Sequence, residues 1–226
     1  MFWFWDSTII LLIPAFLLTI YAQFAVKGAY KKWSKVRSSV GMTGAQVAVN
    51  LLQKNGIFDV DVEEVQGTLS DHYDSRHKKL RLSSDVYHGS SLASLAVAAH
   101  ETGHAIQHSK QYAPLNIRQA IFPVASIGSS WGIWLFIAGL FFSSFSFLMD
   151  VGIILFTGAV LFQIVTLPVE FNASNRALAQ LTTGGYLRTE EISGAKKVLN
   201  AAALTYVAAA AMSILQLIRL LILREE

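Results

Sequence analysis

The chain has 226 residues, 53% hydrophobic and only 15% charged, with a formal net charge of +3. A soluble domain carries about 25% charged residues, so a large water-soluble globule is excluded, and the absence of cysteine excludes disulfides and thiolate metal sites. The apolar surplus gathers in long runs, and the sequence reads as a mainly α, polytopic membrane protein with four transmembrane helices.

Phe2, Trp3, Phe4 and Trp5 precede an apolar run from Ser7 to Val26. At about 1.5 Å per residue such a run crosses a hydrocarbon core of about 30 Å. No basic region precedes it, and it exceeds the apolar core of a signal peptide. Residues 1–26 are therefore expected to be a retained first span, with the aromatic cluster as its interfacial belt and Pro14 as a point where it could kink. Lys27, Lys31, Lys32, Lys35 and Arg37 follow, interleaved with Tyr30 and Trp33. Beside a span this is a positive-inside anchor at the lipid bilayer, and no nucleic-acid partner is expected.

Residues 27–120 read as a cytoplasmic α+β region with a small hairpin or sheet. Thr43 is suited to cap a helix over Gly44–Asn55, which Gly56 ends. Phe58 to Val62 alternates strictly and predicts a strand. Thr68–Tyr73 and Lys79–Ser83 predict the arms of a hairpin around Asp74-Ser75-Arg76, with Lys79–Ser83 as an edge for an extended substrate. Asp85 to Gly89 reads as a loop, after which Ser90 or Ser91 caps a helix running to His108.

In that helix Leu92, Leu95, Ala96, Ala99, Gly103 and Ile106 form an apolar stripe of period near 3.6. His100 and His104 lie one turn apart on another face, and Glu101 completes H-E-x-x-H. Two imidazoles so spaced can close on one metal ion, with the glutamate directed at its open position. The helix is otherwise small and apolar, so burying these groups without a metal or hydrogen bonds would be costly.

Residues 121–168 hold the second and third apolar runs, about Ile121–Phe142 and Val151–Leu167, joined by Ser143–Asp150. Gly128-x-x-x-Gly132 reads as a helix–helix contact within the chain, with a dimer contact as the alternative. Residues 169–200 are polar and basic again, broken at Gly184-Gly185, and residues 201–226 hold the fourth span, about Ala201–Leu223, and the C-terminus. Sixteen of the eighteen Lys and Arg residues lie between runs one and two or between runs three and four; only Arg219 and Arg224 do not. This sorting predicts both termini outside and the intervening segments in the cytoplasm.

A catalytic zinc, Zn²⁺, needs a third protein ligand and one open position. His108 stands about 12 Å from His100 along the helix axis and reads as solvated or as an outer partner. Glu170, just past the third run between Val169 and Phe171, is the favoured carboxylate, with Asp71, Asp74, Glu190 and Glu191 as rivals on the same side. Oxyanion donors would come from His72, Tyr87, His88 or Arg176.

Five stretches carry a family resemblance: Gly41-Met42-Thr43-Gly44-Ala45, Asp71-His72-Tyr73-Asp74, Leu80-Arg81-Leu82-Ser83 with Val86-Tyr87, AAHETGHAIQ and LPVEFNAS. With them the chain resembles the bacterial YugP-like membrane zinc metallopeptidases, neutral zinc metallopeptidases of gluzincin type, over nearly its whole length. The resemblance implies that the glutamate of LPVEF, Glu170, is the third metal ligand, and that the protein is a multi-pass enzyme of the bacterial cell (inner) membrane. More distantly the chain is similar to the CAAX-protease and heat-shock membrane metallopeptidases, whose third-ligand motif is commonly E-x-x-x-D. Ser174 stands at that last position here, so Asn172, Ser174 or Asn175 would replace the aspartate that orients a zinc histidine.

The function these readings imply is a zinc-dependent endopeptidase with Glu101 as general base, acting near the cytoplasmic membrane face on a peptide or membrane-associated protein. The alternative is a non-enzymatic membrane scaffold or regulator with a structural zinc site. No oligomeric state follows from the sequence.

Overall fold

Local signals set most of the helices seen in the computed structural model, which describes residues 7–225. The expected aromatic belt at Phe2, Trp3, Phe4 and Trp5 lies outside the described residues. A 3₁₀ turn, Ser7–Leu12, leads into α1, Ile13–Trp33. Pro14 occupies the first turn of α1, where its missing N–H costs nothing, so it starts the helix instead of kinking it. In α2, Gly44–Lys54, Thr43 and Gln46 form a reciprocal capping box, and Gly56 adopts φ +73° just beyond the end.

The strands differ from expectation. β1 is Asp61–Val65, three residues later than the alternating stretch suggested, and Phe58 is 80% exposed in the loop before it. Its partner decides this: β1 pairs in parallel with β3, Lys79–Ser83, from Asp61 opposite Lys79 to Val65 opposite Ser83. β2 is only His72–Asp74, antiparallel to β3, because Leu69 at φ +56° interrupts the expected arm. The sheet order is β1-β3-β2. β3 is therefore the central strand, paired with β1 along its length and with β2 over Lys79–Arg81, and is not the edge strand expected for substrate; the edges are β1 and β2. The expected loop at Asp85–Gly89 begins as one helical turn, α3, Ser84–Tyr87.

Four more helices follow: α4, Leu92–Ser109; α5, Ala113–Phe141; α6, Phe147–Thr183; and α7, Thr189–Glu225. The polar stretch after residue 168 starts within a helix and not at a helix end. α6 runs on through Pro168, and a turn with Gly185 at φ +74° joins it to α7. A change of composition marks a change of surroundings, whereas a helix ends only where its hydrogen bonding does. Among the described residues, four helical stretches, Ser7–Trp33, α5, α6 and α7, are long and apolar enough to cross a membrane.

The chain divides into two units. Among the described residues, one comprises residues 7–22, Pro114–Pro168 and residues 205–225. Within it Gly128 and Gly132 of α5 meet Leu155, Gly152 and Phe156 of α6, so the small-residue pair is a contact within the chain. Phe136, Phe156, Val160, Leu220 and Leu223 form its apolar centre. Arg224 donates to both oxygens of Asp150, and the buried Arg219 donates to Thr8.

The other unit is Gln23–Ala113 with Val169–Leu204, and α4 is its axis. One side of α4 packs on Val47 and Leu51 of α2, Ala177 and Leu181 of α6, and Ala195 and Val198 of α7. The other side packs on Ala48 and Leu52 of α2 and on Leu80, Leu82 and Val86. A helix enclosed this way must be small-sided and apolar nearly all round, which accounts for its run of alanines.

Candidate metal centre

Ser91 opens α4 by accepting a hydrogen bond from the Ser94 N–H at 3.1 Å. Small residues then carry the helix into the core. At Gly103 a Cβ would lie 2.8 Å from the Ala173 carbonyl oxygen and 3.2 Å from its Cα, so only glycine lets α4 and α6 approach this closely. On α6, Val169, Ala173 and Ala177 recur every four residues and are almost fully buried. Glu170 borders that stripe and is 2% exposed.

The approach brings His100, His104 and Glu170 together, one ligand atom from each lying within 4.8 Å of the others. The Glu170 Oε2 is 3.3 Å from His100 Nε2 and 3.6 Å from His104 Nε2, and the imidazole centroids are 4.8 Å apart with nearly perpendicular rings. Charge-assisted hydrogen bonds run about 2.7–2.9 Å, so these spacings are long for direct pairing. Zinc holds N and O ligands at about 2.0–2.1 Å, which in a tetrahedron separates ligand atoms by about 3.3–3.4 Å. Two imidazoles and a carboxylate at this spacing fit a small divalent cation.

The far side of each imidazole is also held. His100 Nδ1 meets the Ser174 hydroxyl at 3.2 Å, and His104 Nδ1 meets Gln107 Oε1 at 3.0 Å. The fully buried Gln107 donates to the Val169 carbonyl at 2.8 Å and to Asn172 Oδ1 at 3.0 Å. Arg176 Nε donates to the same Asn172 oxygen at 2.6 Å. Burial by itself would pull the His104 pKa down; the facing Glu170, the charge of Glu101 and the Gln107 contact outweigh it, and the net shift is upward. Glu101 is 8% exposed on the same helix.

The other sequence candidates lie elsewhere. His72 is exposed on β2, with Nδ1 2.8 Å from the Ser70 carbonyl. The Tyr87 ring meets His88 edge-on, and His88 Nε2 is 3.1 Å from Glu64. Asn175 is exposed, whereas Asn172, Ser174 and Arg176 belong to the polar network just described. Asp71 accepts from the Ser83 N–H and hydroxyl, Asp74 from His77 and Arg81, and Glu191 from Ser39; Glu190 is exposed. His108 is held by Tyr73 at 2.9 Å. The sequence reading missed Gln107. Its one signal is an amide three residues after His104, which near a helix end looks like ordinary surface polarity.

A family model described as "Putative neutral zinc metallopeptidase" matches residues 8–225. The chain is also similar to "Putative membrane protease YugP" of Bacillus subtilis (strain 168), 49% identical over 211 residues that cover 93% of each chain. No solved structure matches it.

Proposed function

Because the chain belongs to the neutral zinc metallopeptidase family, we propose that it is a membrane-embedded, zinc-dependent endopeptidase whose centre is His100, His104 and Glu170. The observation that carries the reading is the convergence of one buried carboxylate and two imidazoles, with one ligand atom of each within 4.8 Å of the others and Glu170 Oε2 3.3 and 3.6 Å from the two Nε2 atoms. Zinc, when bound, supplies a Lewis acid and lowers the pKa of a water to about 7.

The chain's own residues do the rest. His100 and His104 present Nε2, and Glu170 adds one negative charge, which leaves a net positive centre able to attract a carbonyl oxygen. Glu101, adjacent to a ligand and mostly buried, receives the proton of the attacking water on its carboxylate and returns it to the leaving amine. A structural zinc would have no use for Glu101 and would be closed by a fourth protein ligand.

Glu170 lies three residues beyond Leu167 on the continuous helix α6, about 4.5 Å along its axis. The reading therefore puts the centre close to the cytoplasmic membrane face, with both termini outside, and favours membrane-associated substrates. Single cysteines introduced into this cysteine-free chain test the topology: an impermeant maleimide should label positions beside Asp150 and spare positions beside Lys35.

Metal content and peptide cleavage test the chemistry. Glu101→Gln should keep zinc and lose about 10²–10⁴-fold in kcat, and Glu170→Ala should lose the metal. Wild-type cleavage by Glu101→Gln would refute the mechanism. A membrane-tethered peptide should be cut faster than the same peptide free in solution; equal rates would remove the substrate preference.

A further inference from the structure

We propose that Gln107 is the positioning residue that locks His104 in the tautomer able to bind metal through Nε2. This rests on the zinc reading of the centre. The argument is a sequence of hydrogen bonds whose directions are forced. Arg176 Nε can only donate, so the Asn172 side-chain atom 2.6 Å away must be its oxygen. The Val169 carbonyl can only accept, and Gln107 lies 2.8 Å from it and 3.0 Å from that same Asn172 oxygen. Two acceptors on one end of the amide require that end to be the NH₂. The other end is then Oε1, an acceptor, 3.0 Å from His104 Nδ1. Nδ1 must therefore carry a hydrogen, and the lone pair of neutral His104 is left on Nε2, the atom that faces Glu170 at 3.6 Å.

His100 differs. Its Nδ1 partner is the Ser174 hydroxyl, which can donate or accept and so imposes no tautomer. Gln107 also joins the two helices that supply ligands, since its acceptors belong to α6 while it sits one turn beyond His104 on α4. Burial keeps water from replacing either bond. Neither histidine's outer partner is a carboxylate, so the imidazoles are oriented without added negative charge around the ion.

Gln107→Met removes both functions at nearly constant volume. Gln107→Glu keeps an acceptor for His104 but turns an oxygen toward the Val169 and Asn172 oxygens. In the full-length protein, zinc affinity measured against a competing chelator should fall about 10–100-fold in Gln107→Met, and less in Gln107→Glu, which keeps the acceptor facing His104 Nδ1.

The second readout needs no variant. Nitrogen-15 NMR of the chelated wild type, at a pH where imidazoles are neutral, should show His104 protonated on Nδ1. Protonation on Nε2 overturns the proposal, and this measurement decides alone where Gln107→Met does not fold. Zinc-loaded wild type beside an equally tight Gln107→Met overturns this proposal only. Wild type that binds no zinc overturns the metallopeptidase reading with it.

Discussion

Helix α6 makes two close approaches by the same device and for different ends. In its first half a Cβ at Gly152 would lie 2.5 Å from the Gly132 oxygen, and one at Gly128 would lie 2.0 Å from the Leu155 oxygen. In its second half a Cβ at Gly103 would lie 2.8 Å from the Ala173 oxygen. Around the first contact stand Phe136, Phe156 and Val160; around the second stand Glu170, Asn172 and Ser174. Missing side chains bring backbones together in both, and only the flanking residues make one a packing contact and the other a candidate metal centre.

Metal removal should separate the two halves most strongly. Zinc held at one hundred times its Kd stabilises a site by about 2.7 kcal/mol, so a chelator should lower the thermal midpoint of wild type and leave Glu170→Ala unmoved. Equal responses would dissolve the distinction. Next comes a matched pair, Gly103→Ala and Gly128→Ala, each overpacking a contact by about 1–3 kcal/mol. Both should lower thermal stability, but zinc affinity should fall only in Gly103→Ala, and unchanged affinity there would detach the centre from the helix approach.

Ser174→Ala should weaken zinc by about tenfold, the low end for an outer partner, because His100 keeps its place between packed helices. A chelator competition measures it. The smallest effect belongs to the apolar half. The Asp150–Arg224 pair is exposed and screened by solvent, so Arg224→Gln should shift the midpoint slightly and zinc binding not at all.

Much of this was legible beforehand. The four apolar runs, the capping of α2 and α4, the break at Gly184-Gly185 and the juxtaposable pair His100 and His104 depend on neighbours within a turn or on composition within a window. The strands were the weak point. Alternation selected Phe58–Val62, but pairing with β3 moved the strand to Asp61–Val65 and put β3 in the middle. A period of two records which face is apolar and says nothing of the neighbour.

The amino-acid order by itself determined a multi-helix, cysteine-free chain with one buried helix bearing two imidazoles and a carboxylate, because periodicity, capping and hydropathy act over a few residues. The sequence favoured Glu170 among several acids; tertiary structure set its distance from those imidazoles and decided which side chains grip their outer nitrogens. Glu170 and Gln107 meet His104 and Val169 across more than sixty residues, through a gap that exists only because Gly103 has no side chain. No local pattern encodes a distance between two helices.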